Sequence, residues 1–296
     1  MTFDLTACRF HLAARDSIHF RPGQTGNILR GALASVFRNI TCAEHCPGRT
    51  GANIRDCPLR SSCAYARIFE PAAVRTGQRG AGPSGLSDWP RPFVIRAASL
   101  DGQRVEPGEQ FCVGVNLFET LDASIQDSAV EHFQRAFAEW AEIVSVEQRM
   151  VNIDLTPRSI PVSRIRVEFQ SPTDLKAAGN LGKADFSALL ARARDRVGTL
   201  SSLYGAGPLA IDFRGLSERA RSVKVVNGEL GQVSVERRSS RTGQRHSIGG
   251  LTGFVEYDGN LTEFLPYLEA GSWTGVGRHC TWGNGQIATT ILNSEF

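Results

Sequence analysis

Apolar and polar positions alternate over residues 2–13, with Phe3, Leu5, Ala7 and Phe10 as apolar markers, and the pattern predicts a strand. The run breaks at His19-Phe20-Arg21-Pro22-Gly23, and the period then becomes helical. Between Gly26 and Ile40, the residues Leu29, Leu33, Val36, Phe37 and Ile40 fall on one stripe, leaving Asn27, Arg30 and Arg38 off it. Residues 41–92 hold no sustained period and are rich in Gly, Pro and Arg; an excursion of that length inside a domain points to function, a metal staple or partial disorder. Strands are expected at Phe93-Val94-Ile95 and from Phe111 to Phe118. A second helix follows, with Val130, Phe133, Phe137, Trp140 and Val144 as its buried stripe and Asp127, Glu131, Glu139 and Glu142 opposite, and then a strand at 144–153. Strand, helix, strand, strand, helix, strand is the order of a ferredoxin-like domain.

Asn152 to Val162, with Pro157 and Pro161, reads as a linker, after which the order begins again. Arg164 to Phe169 alternates as a strand. Phe186, Leu189, Leu190, Ala193, Val197, Leu200 and Tyr204 trace one helical face, with Arg192 and Arg196 on one flank and Arg194 on the other. Val223 to Val226 and Val233-Ser234-Val235 flank an Asn227-Gly228 hairpin signal. A second hairpin is expected around Thr242-Gly243, returning through Gly250 to Tyr257, and a short helix at 261–268 leads to the run GVGRHCTWGNG at 275–285. The expected fold class is α+β: two tandem ferredoxin-like (RRM-like) domains, residues 1–152 with a Cys/Arg-rich insertion at about 41–92, and residues 153–296 with the glycine-rich loop. The halves share an element order but no alignable repeat.

Composition sharpens the chemistry rather than the fold. The net charge of +3 is ordinary, but 30 of the 33 basic residues are Arg, the exceptions being Lys176, Lys183 and Lys224. Arg offers a planar fork of donors that grips phosphate bidentately and stacks on bases. Residues 21–104 hold 12 Arg against five carboxylates, 105–150 nine carboxylates against two Arg, and 214–245 eight basic against three acidic residues. Two basic blocks around an acidic one draw a polyanion to chosen faces, or are solvated surface. No apolar run reaches the ~18 residues of a membrane span and no secretory leader is evident, so no membrane partner and a cytoplasmic location are expected. Seven cysteines in a reducing compartment argue against a disulfide framework.

The glycine run lacks the strand-to-helix frame of a dinucleotide fingerprint and the Lys-Ser/Thr of a P-loop. Gly275, Gly277, Gly283 and Gly285 let a phosphate approach backbone amides, with Arg278 as cation, Trp282 as stacking plane and His279 beside them; the competing reading is a tight hairpin packed on the sheet. Arg237, Arg238, Arg241 and Arg245, with Ser239 and Ser240 between, form a basic hairpin that grips phosphates or is a solvated turn. Cys42, Cys46, Cys57 and Cys63 follow Cys-x3-Cys, ten residues, Cys-x5-Cys, looser than a zinc knuckle; they are a structural zinc site, with His45 able to replace one ligand, or reduced thiols. Cys8, Cys112 and Cys280 read as single packing residues.

Residues 237–287, with SSRTGQRHSIGGLTG and the spaced glycine loop, resemble the C-terminal domain of the CRISPR-associated repeat-cleaving endoribonucleases of the RAMP superfamily. GNILRGALASVF at 26–37 is similar to the first helix of that group, and CPLRSSCAYARIFEP at 57–71 to its Cys-bearing insertion. The resemblance implies two ferredoxin-like folds with a basic cleft between them. It also implies cleavage of a CRISPR repeat RNA to a 2′,3′-cyclic phosphate and 5′-OH with no catalytic cofactor, and retention of the crRNA hairpin for other subunits of an effector complex.

Attack by the ribose 2′-OH needs a proton acceptor, a proton donor and cations at the phosphate. Of six histidines, His132 and His11 read as structural, His19 and His45 bracket the first helix, and His279 lies in the glycine loop. Many members of the family keep a catalytic His on or beside the first helix, and this helix has none. Either His19 or His45 reaches in, or Arg30 and Arg38 stabilise the transition state without moving protons, since Arg stays charged. The expected catalytic set is Arg30, Arg38 and His19. Arg21 and Asn27 join the basic hairpin and the glycine loop as RNA contacts. Two other readings stand beside this one: a non-catalytic crRNA-binding scaffold of the same superfamily, and a zinc-stapled module that binds protein through the acidic face at 127–142.

Overall fold

The chain, seen in a computed structural model, is described over residues 1–42, 46, 54–71, 89–119, 123–175, 184–238 and 245–293; at Arg55, Ala123, Ile125, Arg237, Arg238 and His246 only the backbone is described. Much of the expected insertion, with His45, and the hairpin tip with Ser239, Ser240 and Arg241 lie outside those residues. Two compact units emerge: Asp4–Val151 with Thr199–Gly207, and Asn152–Gly198 with Pro208–Phe296 and Met1–Phe3. No helix among the described residues is long and apolar enough to cross a membrane.

The N-terminal unit runs β1 (Thr2–Ala14), β2 (Ile18–His19), α1 (Thr25–Thr41), α2 (Ala64–Phe69), β3 (Phe93–Arg96), β4 (Arg104–Val105), β5 (Gln110–Leu117), α3 (Ala123–Ala138) and β6 (Ala141–Asp154). Its main sheet has the order β3-β5-β1-β6, with Val115 opposite Cys8 on one side and Ile95 on the other. The period-two pattern of β1 sends Cys8, Phe10 and Leu12 into one core, where Leu29, Leu33 and Phe37 of α1 and Phe133 and Phe137 of α3 meet them. Phe10 lies 4.8 Å from Phe137, and Phe37 5.4 Å from Phe133, between ring centroids. His132 stacks on Phe37 at 5.0 Å and bonds Ser128, a packing role. The apolar stripe expected to carry the second helix through Trp140 and Val144 stops earlier. The helix ends at Ala138, Trp140 packs from the following turn at 5.5 Å from Phe137, and Val144 is 47% exposed on β6.

The C-terminal unit repeats the arrangement with β7 (Arg164–Thr173), α4 (Phe186–Tyr204), α5 (Phe213–Ala220), β8 (Lys224–Val233), β9 (Glu236–Arg238), β10 (Arg245–Ser247), β11 (Gly250–Asp258), α6 (Leu265–Thr274) and β12 (Ile287–Ile291). The sheet order is β12-β7-β11-β8, the same permutation of successive strands as in the first unit. Two ferredoxin-like folds in tandem are therefore present. Phe186 joins helix to sheet, 5.0 Å from Tyr257 and 5.3 Å from Phe264. Two expectations fail here. Asn227-Gly228 makes no hairpin: β8 runs straight through it along β11, and the register shift opposite Glu256 and Tyr257 absorbs the irregularity as a bulge. The helix expected at 261–268 begins at Leu265 and runs to Thr274, because Leu261–Phe264 form a turn ahead of Pro266.

Glu256, 4% exposed on β11, accepts from Arg166 Nη2 at 2.6 Å and Arg164 Nη2 at 2.7 Å. These hydrogen bonds, Arg166 first, hold its carboxyl below the ordinary range. The stability this gives is complete above the unfolded carboxyl's pKa of about 4.3 and is lost as pH falls through the lower folded value. Glu256→Gln is expected to be less stable than the parent at neutral pH and to lose less on acidification. Urea midpoints at about pH 7 and about pH 3.5 measure this, and equal losses in both proteins would refute it.

Candidate functional site

The first helix is set at its beginning by a carboxylate far along the chain. Asp101 accepts the Gly23 amide at 2.7 Å and the Thr25 hydroxyl at 2.7 Å, which anchors α1 where Gln24 caps it without a side-chain bond. His19 and Arg21, both exposed, lie just ahead of this point, His19 on the β2–β4 ribbon opposite Arg104. Asn27 is half-buried in the first turn. Arg30 and Arg38 are half-buried, separated by about 12 Å of helix axis at 1.5 Å per residue.

Both arginines act on one side chain that the sequence reading passed over. Burial pushes the Tyr65 phenol up, Glu70 adds to the effect, and Arg38, Arg30 and Arg91 pull against it. Tyr65 sits on α2 within the quoted run CPLRSSCAYARIFEP, two residues after Cys63, and that position was the available signal. Among the described residues the buried Nε of Arg38 meets no acceptor. A buried donor without an acceptor is costly, so an incoming anion gains from it. Of the proposed catalytic set, Arg30 and Arg38 thus share the field of Tyr65, while His19 stands on a separate ribbon at the opposite end of α1 from Arg38.

The four cysteines flank the same helices. Cys42 is the C-cap of α1 and Cys63 the N-cap of α2; Cys42, Cys46 and Cys57 are buried and Cys63 half-buried. Cys46 Sγ lies 3.5 Å from Cys57 Sγ. Burial, then the neighbouring sulfurs of Cys46 and Cys63, push the Cys42 thiol up to about 12. Among the described residues no group of three or more His, Cys, Asp or Glu side chains is placed to hold a metal ion.

The glycine loop is organised by its own backbone. The amide of Val276 donates to Gly285 O at 2.8 Å, that of Gly285 to Pro172 O at 3.0 Å, that of Arg278 to Asp174 O at 3.0 Å, that of Trp282 to His279 O at 2.8 Å and that of Gly283 to Cys280 O at 3.0 Å. The glycines serve this closure. Gly277 (φ 85°) would set a Cβ against the Asp174 carbonyl, and Gly285 (φ 73°) against the Val276 carbonyl. The amides expected to meet a phosphate are in these cases already bonded, within the loop or to Pro172 and Asp174 at the end of β7, and side chains are what it presents. Arg278 is 56% exposed and 3.6 Å from Asp174, and the His279 ring, on a left-handed residue (φ 65°), stacks on Trp282 at 4.5 Å and 5°. Asn284 ties the loop to Ile248, at the foot of the β9–β10 hairpin, where Arg245 pairs with Arg238 in register and its side chain is exposed. The arginines flanking the α4 face turn out to be fixed internally: Arg192 bonds Leu175 O, Arg196 bonds Thr274 O at 2.7 Å, and Arg194 holds Asp195, Phe213 O and Ser217.

Residues 167–287, which contain this loop and hairpin, match the family model of the CRISPR-associated endoribonuclease Cas6. Over these residues the chain is similar to Cas6. Its residues 3–142 match a second family model, described as an N-terminal domain. No curated protein sequence matches it. Among solved structures, a Cas6 product complex aligns with a TM-score of 0.56 at 13% identity over 97% of this chain and 99% of that one. Thermus thermophilus Cas6 aligns at 0.56 and 10% identity over 98% and 99%. A partial Cas6-RT-Cas1–Cas2 complex aligns at 0.53 and 12% identity over 98% of this chain and 46% of that one. At such identities the likeness concerns the fold, and the Cas6-type tandem of ferredoxin-like units is what all three share with this chain.

Proposed function

We propose that this chain processes CRISPR transcripts by cleaving repeat RNA through attack of a ribose 2′-OH on the adjacent phosphate, leaving a 2′,3′-cyclic phosphate and a 5′-OH, without a catalytic metal. The observation that carries the reading is the half-buried pair Arg30 and Arg38 on α1, in whose field Tyr65 lies, with the Nε of Arg38 lacking an acceptor among the described residues. In the transition state, charge grows on the phosphate oxygens, and two half-buried guanidinium groups are proposed to stabilise it. Neither can move a proton. Tyr65, a phenol that is protonated at neutral pH, is the group proposed to donate toward the departing 5′ oxygen, and His19 is the histidine proposed to accept the 2′-OH proton. Arg21, Asn27 and the arginines Arg237, Arg238, Arg241 and Arg245 hold the backbone of the RNA, with Arg278, His279 and Trp282 at the unpaired flank, where stacking is available. Retention of the product hairpin and its transfer to effector subunits belong to the same reading, and a Cas6 product complex is among the structures that share this fold.

The test is a repeat RNA presented with chelator in excess. Cleavage is expected to proceed, to leave a cyclic phosphate, and to stop when the nucleotide before the cut carries 2′-deoxyribose. Binding without cleavage would favour the scaffold reading, and cleavage of the 2′-deoxy RNA would exclude the mechanism.

A further inference from the structure

We propose that Arg192 and Arg196 form a site for RNA backbone phosphates at the base of the glycine loop, apart from the catalytic set. The two stand four residues apart on α4, so they share a helix face and are separated by about 6 Å of axis. One nitrogen of each is anchored. Arg192 Nε donates to Leu175 O at 3.1 Å and Arg196 Nε to Thr274 O at 2.7 Å. Their terminal nitrogens meet neither an acceptor nor a carboxylate among the described residues, and Nη2 of Arg196 is buried in that state. Both anchors belong to the frame of the loop. Leu175 follows Asp174, whose carbonyl accepts the Arg278 amide at 3.0 Å and whose carboxylate lies 3.6 Å from Arg278 Nη1. Thr274 ends α6 and precedes Gly275. Gly271 lets α6 come this close to α4, since a Cβ there would stand 3.3 Å from that of Ala193 and 2.9 Å from Val276.

Two like charges on one helix face repel, and a buried donor without an acceptor is costly. A phosphate relieves both, because its oxygens accept from the terminal edge of a guanidinium whose Nε is already engaged. Anchoring alone explains less of the arrangement. A cation beside the last carbonyls of α6 is favourable, but that accounts for one nitrogen of Arg196 and for none of Arg192, whose carbonyl partner follows strand β7. Nucleic acid fits the surroundings better than an acidic protein segment does. Exposed Arg278 adds a third guanidinium, and the His279–Trp282 stack in the same loop offers a flat face to a base, for which a carboxylate has no use.

The site rests on the reading that the chain binds repeat RNA, and its test keeps the two failures apart. The probe is repeat RNA with 2′-deoxyribose before the cut, so that it is bound and not cleaved, and its affinity for the full chain is measured between about 50 and 200 mM salt. With Arg192→Gln and Arg196→Gln combined, the slope of log affinity against log salt is expected to become shallower by about 1.4, the loss of two single-strand phosphate contacts at about 0.7 each. Because these substitutions also remove two anchors of the loop, the unmodified chain supplies an independent reading. Phenylglyoxal, which modifies accessible guanidinium groups, is mapped by mass spectrometry with the RNA, with polyglutamate and with neither. RNA is expected to protect Arg192 and Arg196, and polyglutamate to leave them reactive. A slope unchanged in the double variant, or equal modification with and without RNA, overturns the site and leaves the RNA-binding reading intact. Protection by polyglutamate and not by RNA assigns the surface to an acidic protein partner and overturns it too. A parent chain that retains no RNA overturns both the site and the reading.

Discussion

Arg38→Ala is expected to slow cleavage of repeat RNA by on the order of 100-fold while changing its affinity by less than about tenfold, because the guanidinium is assigned to charge that exists mainly in the transition state. Arg38 is singled out because its buried Nε meets no acceptor among the described residues while its charge reaches Tyr65. Arg30→Ala is expected to act in the same direction. Arg38→Lys should recover only part of the rate, since an ammonium keeps the charge but loses the planar fork. Single-turnover rates and filter-binding affinities measured on the same RNA separate the two effects. Parental rates in both alanine variants would remove α1 from the active site, and equal losses in rate and affinity would make these arginines binding residues only.

Gly285→Val is expected to lower folding stability by about 3 kcal/mol, the sum of an unfavourable positive φ and overpacking. The added Cβ would run into the Val276 carbonyl, whose neighbouring amide is itself bonded to Gly285. Gly277→Val should behave alike through the Asp174 carbonyl. A fall in urea midpoint at constant m-value is the signature. Any loss of RNA binding in these variants then follows from a disordered loop, so they do not probe contact with RNA. Arg278→Ala does: its bridge to Asp174 at 3.6 Å is exposed and contributes little stability, so weaker RNA binding with an unmoved midpoint would place this side chain at the RNA. A parental midpoint in Gly285→Val would show that the loop has room the closure denies.

Some of this site was legible before any coordinates. The stripe Leu29, Leu33 and Phe37 left Arg30 and Arg38 off the buried face, and their half-buried positions on α1 follow from that geometry. Tyr65 was not legible as a neighbour of these arginines, because its place comes from α2 packing against α1 and no periodicity encodes that contact. The glycine loop shows a different failure. Glycines at 275, 277, 283 and 285 mark both a phosphate cradle and a backbone that folds closely on itself, and only the positions of the Asp174 and Val276 carbonyls distinguish the two. Asn227-Gly228 misled for a related reason: a hairpin dipeptide turns a chain when its flanking segments pair with each other, and here both pair with β11.

By itself the sequence determined the fold class, since periods of two and 3.6 residues report which side chains face a core and their order repeats the strand–helix–strand–strand–helix–strand scheme twice. What only the tertiary structure decided is the state of each polar group. Arg164 and Arg166 are taken up by Glu256, Arg192 and Arg196 by backbone carbonyls, and the loop amides of Gly285 and Arg278 by Pro172 and Asp174, while the Arg38 Nε meets no acceptor among the described residues. The reason is physical: burial of an apolar face follows from local spacing, but a hydrogen bond requires a particular acceptor within about 3 Å, brought there from a distant part of the chain.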